Sequence, residues 1–480
     1  MQVQSRKKNF WAKLFLLGLL FVNLSLQGLA GNGQAVASFF DIKPVKTGIS
    51  KVTVTFYGDA ASTKGFTWYS PLTVTGNDLQ VVEKTGTNPN FKKTLRFSGR
   101  SVVAAHSPTE LVHKAAATGL KAASSYYFRV GDAKLNRWSE VGTFRTARCG
   151  GAFTFIDLAD PQARSEAGAV LAARTFAKAL QTVTNADFLA VNGDWVENGE
   201  NEQQWDWLFG HSRDILLNTT ILPVAGNHEA GKNSFSDHFN LKPAPYSASA
   251  TGVYYSVNYS NTHFIVLNTN EDSPKYADFT PEQLQWLQAD VKAAKVAGAT
   301  WLIVLMHKGP YTTSSHATDA DIMGPNGVRT KVAPLFAKLG IDLVLQGHDH
   351  IYARSKPIRD GVAPRTVKLT KTWGGKRIDY TVNPDGVIYV IPGTAGLKGY
   401  HRTKKLGAKF YNLFEVTDEN HTVVSGRKLK DAGSLVPARV QNFMGVTIDG
   451  NRLTAIVYEI DQSKNKARPY VRDRFGIFKR

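Results

Sequence analysis

The chain has 480 residues, of which 42% are hydrophobic, 11% aromatic and 20% charged, enough for about two to three domains of roughly 100–200 residues each. That composition excludes a disordered tail, a collagen and a disulfide framework. The single cysteine, Cys149, excludes an internal bridge and a thiolate-rich zinc site. The formal charge of +19 is uneven: residues 351–480 hold 25 basic and 11 acidic groups, so 25 − 11 gives +14 there. Such a basic third attracts anionic partners, either a phosphorylated small molecule or an anionic polymer. No recognition-helix or RNA-binding signature accompanies it, so specific nucleic-acid recognition is not expected.

The N-terminus reads as an export signal over residues 1–37. Arg6, Lys7 and Lys8 precede an apolar run from Leu14 to Leu26 that is short for a bilayer span. Small residues at Gly28-Leu29-Ala30 and Ala35-Val36-Ala37 predict cleavage after Ala30 or Ala37 and a secreted or envelope-associated product. No later stretch predicts an integral membrane segment.

Residues 38–148 predict an all-β module. Strand-like runs at Lys51–Tyr57, Gly65–Tyr69, Ser101–Ala105, Leu111–Ala117, Tyr126–Val130 and Ser139–Thr146 are punctuated by Gly, Asn, Asp and Ser. The later runs resemble a fibronectin-III-like sandwich with Tyr126 as its corner tyrosine. From Cys149 onward, apolar strand runs alternate with helical stretches, which predicts an α/β domain over 149–480. The strands are Ala152–Ala159, Phe188–Asn192, Ile221–Ala225, Trp301–Met306 and Asp342–Leu345. The helices are Ser165–Thr184, Glu202–Leu216, Pro281–Ala297 and Thr330–Leu339, and the pattern beyond His350 turns β-rich.

Polar residues gather where these strands stop: Asp160-Pro161-Gln162, Gly193-Asp194, Gly226-Asn227-His228-Glu229, His307 and Gly347-His348-Asp349-His350. Carboxyl ends of strands in an α/β sheet share one crevice, so segments far apart in sequence can converge. The donors are nitrogen and oxygen, which suits Zn, Mn or Fe. His348 and His350 flank one residue and can point the same way from an extended segment. Taken singly, an Asp-Pro or a Gly-Asp is an ordinary turn and His307 an ordinary core histidine; the ordered set is not ordinary.

These motifs resemble the metallophosphoesterase, or calcineurin-like phosphoesterase, superfamily, and more narrowly its purple-acid-phosphatase-type branch with an N-terminal fibronectin-III-like domain. The resemblance implies an α/β fold, a four-layer α/β/β/α sandwich, with two metal ions at the strand ends. Asp160 and His350 would hold the first ion, Asp194 would bridge, and Asn227, His307 and His348 would hold the second. His228 would stand outside as proton donor. Gln162 either ligates or hydrogen-bonds a bound water. Glu197 stands where the purple enzymes have their tyrosinate, so no intense visible band is expected. By resemblance to phosphoprotein phosphatases, the Glu197 carboxylate would pair with His228; direct ligation and a solvent-facing acid are the alternatives.

The chemistry so implied is hydrolysis of phosphate monoesters by a metal-bound hydroxide, with His228 protonating the leaving alkoxide. Lys308, His316 and Arg329 come after His307 and are candidates for phosphate contacts or for solvated loop charges. Two rivals are a phosphodiesterase acting on nucleotides or anionic envelope polymers, and a non-catalytic binding or adhesion protein.

Overall fold

The computed structural model describes residues 48–247, 250–271, 279–417 and 440–480; the expected export signal lies outside these. Residues 50–145 build a β-sandwich. One layer contains Ser50–Thr55, Lys64–Pro71, Ser107–Ala117 and Arg100–Ala104, and the other contains Leu95–Ser98, Asp78–Glu83, Ser125–Asp132 and Gly142–Arg145. Alternating residues such as Val54, Phe66, Trp68, Leu79, Val81, Phe128 and Val130 point between the layers and form their core. The Tyr126 hydroxyl accepts a hydrogen bond from the Lys121 main chain at 2.8 Å, the corner contact its position predicts.

The sandwich is joined to the α/β part by more than its linker. Ser50–Thr55 pairs in parallel with Thr220–Pro223, Val54 lying opposite Thr220. A single 12-stranded sheet therefore runs from the sandwich through Thr220–Pro223, Phe188–Val191 and Phe153–Leu158 to Val440–Asp449, Arg452–Asp461 and Tyr470–Phe478, ending in the hairpin of Val367–Trp373 and Lys376–Val382.

A second, seven-stranded sheet contains Trp301–Met306, Leu343–Gln346 and Ile388–Pro392 in parallel at its centre. Side-chain alternation along its strands sets the layer order. Ile303 and Leu305 join Phe155 and Val446 in the core between the sheets, while Leu302, Val304 and Met306 face the helices Pro281–Val296 and Ala333–Leu339. Glu166–Thr182, capped by Ser165 and burying Ala169, Ala172 and Phe176, covers the first sheet. The result is helix, sheet, sheet, helix, with the C-terminal ends of both parallel runs on one edge.

Candidate metal centre

The chain bends sharply where these strands end. Asp160, Gln162, Asp194 and His348 all have positive φ, between 37° and 70°. Left-handed backbone at non-glycine residues is costly, and its concentration at one edge marks a site that the surrounding structure holds in place. Two glycines make the convergence possible. A Cβ on Gly226 would stand 2.1 Å from Asp194 Oδ1, and one on Gly193, itself at φ +88°, would stand 2.6 Å from His307 Nδ1.

Asp194 is the meeting point. With His307 and His348 it forms one group of potential ligand atoms within 4.8 Å of each other, and with Asp160 and His350 it forms a second. The fit to cations rests on the hydrogen-bond chemistry. His307 Nδ1 lies 2.8 Å from the Asn192 carbonyl, which only accepts, so Nδ1 carries the proton. In the neutral ring Nε2 is then a lone pair, yet it faces Asn227 Oδ1 at 3.1 Å and Asp194 Oδ2 at 3.2 Å. Three electron-rich atoms aimed at one point fit a bound metal ion. Asp160 Oδ2, buried and without a hydrogen-bond partner, is a further vacant donor atom. Burial, and then the charge of Asp194, push the Asp160 carboxyl well above its usual range. Burial acts the same way on Asp194, but protonated His307 and His228 rings would outweigh it and hold this carboxyl below that range, a role that a bound cation would take over.

Supporting contacts fix the other groups. Thr394 donates to the Asp160 carbonyl at 3.0 Å and its hydroxyl lies 3.3 Å from His350 Nδ1. Thr312 and Ser314 donate to the Asp349 carboxylate between the two histidines. Glu229 accepts from the Gly226 and Val196 main chains, tying two of the strand-end turns together. Beneath the site, Asn192 Nδ2 donates to Asp157 Oδ1 at 2.9 Å. Burial pushes the Asp157 carboxyl well above its usual range. Thr394 and Asn192 carry no motif of their own and only a strand-end position hinted at them; Glu229 closes the Gly226–Glu229 run but had no role assigned to it.

His228 stands at the rim, with its side chain 24% exposed and Nε2 3.8 Å from Asp194 Oδ2. Its Nδ1 meets the main-chain carbonyl of Glu197 at 2.5 Å. The expected pairing with the Glu197 carboxylate is thus corrected: the isolated bridge between Ala163 and Val196 holds this segment so that its backbone, not its side chain, reaches the ring. Gln162 presents Nε2 to His228 Nε2 at 2.7 Å and leaves Oε1 buried and unpartnered.

The three substrate-contact candidates part company. His316 lies at the site, its ring 4.2 Å from that of His348 and its Nδ1 2.6 Å from Asp319. Lys308 is buried and paired with Asp321 at 3.0 Å. Arg329 donates to the carbonyls of Pro310 and Ala317 and lies over the Tyr311 and Phe410 rings, so its guanidinium secures loops instead of presenting to a ligand.

Comparison with known families agrees with this geometry. The calcineurin-like phosphoesterase profile matches residues 158–352, and the purple acid phosphatase N-terminal domain profile matches residues 49–146. The chain carries a calcineurin-like phosphoesterase domain behind a purple acid phosphatase N-terminal domain. It is similar to an uncharacterized protein of Mycobacterium tuberculosis, 27% identical over 44% of this chain and 42% of that protein. It is also similar to purple acid phosphatase 15 of Arabidopsis thaliana, 23% identical over 60% of this chain and 54% of that enzyme. The chain thus spans about half the length of these curated relatives. The solved purple acid phosphatase of yellow lupin seeds shares the fold, with a TM-score of 0.70 at 16% identity over 90% of this chain and 74% of that one. The calcineurin-like domain implies metal ions, and the clusters around Asp194 are the candidates to hold them.

Proposed function

We propose that this chain is an exported phosphatase that hydrolyses phosphate monoesters at a dinuclear centre held by Asp160, Asp194, Asn227, His307, His348 and His350. The observation that carries the reading is the pair of ligand groups sharing Asp194, with His307 Nε2 and two oxygens turned toward one point. Two cations of Fe, Zn or Mn, when bound, would neutralise phosphate oxygens and acidify the attacking water. The chain's own residues do the rest. Asp194, common to both ligand groups, would hold the two ions next to each other. Asn192 and Thr394 hold the imidazoles of His307 and His350 in place. His228, outside the ligand groups and pinned through Nδ1, offers Nε2 to the leaving oxygen as general acid. His316, beside His348, would offer Nε2 to phosphate oxygens while Asp319 holds its Nδ1.

Turnover of p-nitrophenyl phosphate against bis-p-nitrophenyl phosphate, on protein reconstituted with each metal and assayed for metal content, tests this reading. The monoester should be the better substrate. His228→Ala should keep both ions and lose about 10²–10⁴-fold in turnover of esters with alkoxide leaving groups. A metal-free His228→Ala protein would put that residue among the ligands. Preferred turnover of the diester would make the chain a phosphodiesterase, and no turnover by metal-loaded protein would favour a binding role.

A further inference from the structure

The segment after Ile388–Pro392 leaves the metal centre as a strap across its mouth. It starts at the ligands: Ala395 donates to the Ala159 carbonyl at 2.7 Å and Thr394 to that of Asp160. Gly396 packs so closely on Pro161 that a Cβ there would stand 2.0 Å from the Pro161 carbonyl. The strap then crosses the histidines. The Tyr400 main chain donates to the His350 carbonyl at 3.0 Å, and its ring lies 4.8 Å from His350 and 5.5 Å from His316. Thr403 next donates to the Thr313 carbonyl at 2.9 Å, on the loop whose neighbours Thr312 and Ser314 hold Asp349. The Tyr411 hydroxyl returns to the Thr403 carbonyl and closes the turn.

This strap is charged with one sign only. Between residues 398 and 409 lie Lys398, Arg402, Lys404, Lys405 and Lys409, with His401, and no carboxylate. Lys404, Lys405 and Lys409 are exposed, whereas Lys398 is half-buried and its charge reaches both Asp160 and His350. Some cations elsewhere in the basic C-terminal third are paired with acids: Arg354 with Asp473, Lys368 with Glu415, Arg452 with Asp449, Lys464 with Asp461. Like charges gathered on one short segment repel, and their field attracts an anion to the mouth they border. The run from Tyr400 to Lys404 spans four residues, at most about 14 Å of extended chain, so these ammonium groups stay within reach of a small molecule seated at the metals.

We propose that this strap is a second anion subsite, and that the preferred substrates are small polyphosphorylated esters with one phosphate at the metals and another on Lys398, Lys404 and Lys405. The inference rests on the phosphatase reading above and names the substrate class for it. It gives a role to five of the basic groups that make this third of the chain positive. A monophosphate uses the metal centre alone; a bisphosphate gains the strap.

The test compares fructose 1,6-bisphosphate with fructose 6-phosphate, using wild type and the double variant Lys404→Gln/Lys405→Gln. The wild type should show a KM for the bisphosphate about tenfold lower, rising steeply with salt. The double variant should raise that KM about 3–10-fold, flatten the salt dependence and move neither kcat nor the monophosphate KM by more than about twofold. The pair Lys92→Gln/Lys93→Gln, on the exposed sandwich loop, is the control for net charge. An equal effect from that pair, or no difference between the two substrates in wild type, overturns the subsite. Calorimetric binding of inorganic diphosphate and phosphate to the metal-loaded protein separates the two readings. Tighter diphosphate binding that weakens in the double variant supports the subsite even if turnover is absent, in which case only the phosphatase reading fails. Equal binding of the two anions overturns the subsite while leaving the phosphatase reading intact.

Discussion

Two clusters of carboxylates among the described residues have the spacing of a metal site, and they differ in what neutralises them. At the junction of the sandwich with the α/β part, Glu110, Glu202 and Asp206 converge, but the Lys51 ammonium sits among them at 2.9, 3.0 and 2.6 Å. At the strand ends, Asp160 and Asp194 have imidazoles around them and no lysine or arginine within ion-pair distance among the described residues. The first cluster brings its own cation; the second presents lone pairs to one that must come from outside. Proximity of acids is therefore a weak sign of metal binding, and the protonation and orientation of the neighbouring nitrogens is a strong one.

The largest effect that tests this contrast is at Asp194. Asp194→Asn should lower metal content below two ions per chain and cost more than the roughly 100-fold that loss of a supporting hydrogen bond to a ligand already costs. Full metal content in that variant would remove Asp194 from its shared position. Next comes Lys51→Met, which leaves three acids without their ammonium. It should lower stability by about 3–5 kcal/mol in chemical unfolding while metal content and kcat of the folded protein stay unchanged; a loss of metal there would erase the distinction between the clusters.

The same cluster has a pH signature. Burial works to raise the Glu202 carboxyl, but His238 and Lys51 outweigh it and hold it at about 2, below the ordinary 4.5. A depressed acid stabilises the fold above its unfolded value, and the contribution is lost as pH falls from 4.5 toward about 2. Lys51, raised above 10.5 by the three carboxylates despite the larger effect of burial, contributes below 10.5 and is lost as pH rises through its folded value. In Lys51→Met the acid-side loss should begin at higher pH, read from unfolding midpoints between pH 2 and 5. The smallest effect is at Glu197. Since its main chain, not its carboxylate, holds His228, Glu197→Gln should leave metal content and the alkaline limb of the pH–rate profile within about threefold of wild type, as for an ordinary surface change. A downward shift of that limb would restore the carboxylate pairing.

The second cluster was legible in the sequence and the first was not. Runs of candidate ligands such as Gly226–Glu229 and Gly347–His350 are short because a strand end and its turn can deliver several donors at once, so local spacing reveals them. Lys51, Glu110 and Asp206 are scattered over 155 positions, with no local period to betray their meeting. The same limit explains Thr394, which supports His350 from 44 positions away. Charge was the least faithful guide. Lys308 and Arg329 come after the candidate ligand His307 as substrate-binding groups would, yet Asp321 and two carbonyls engage them. The Glu197 contact was placed on the right residue and the wrong atoms, because sequence records side chains and this bond uses the backbone.

The parallel seam between Ser50–Thr55 and Thr220–Pro223 gives the chain an order of assembly. From Val54 to Thr220 there are 166 positions, so at about 5–20 residues per second of synthesis the first strand waits roughly 8–33 s for its neighbour. During that interval its hydrogen-bonding edge is open, and an open edge recruits other chains. A fragment ending near residue 148 would make the wait permanent, leaving Val54 and Thr55 without their partner strand and Lys51 without Glu202 and Asp206. The sandwich has a core of its own, yet one of its edges is covered only when a strand 166 positions later has been made.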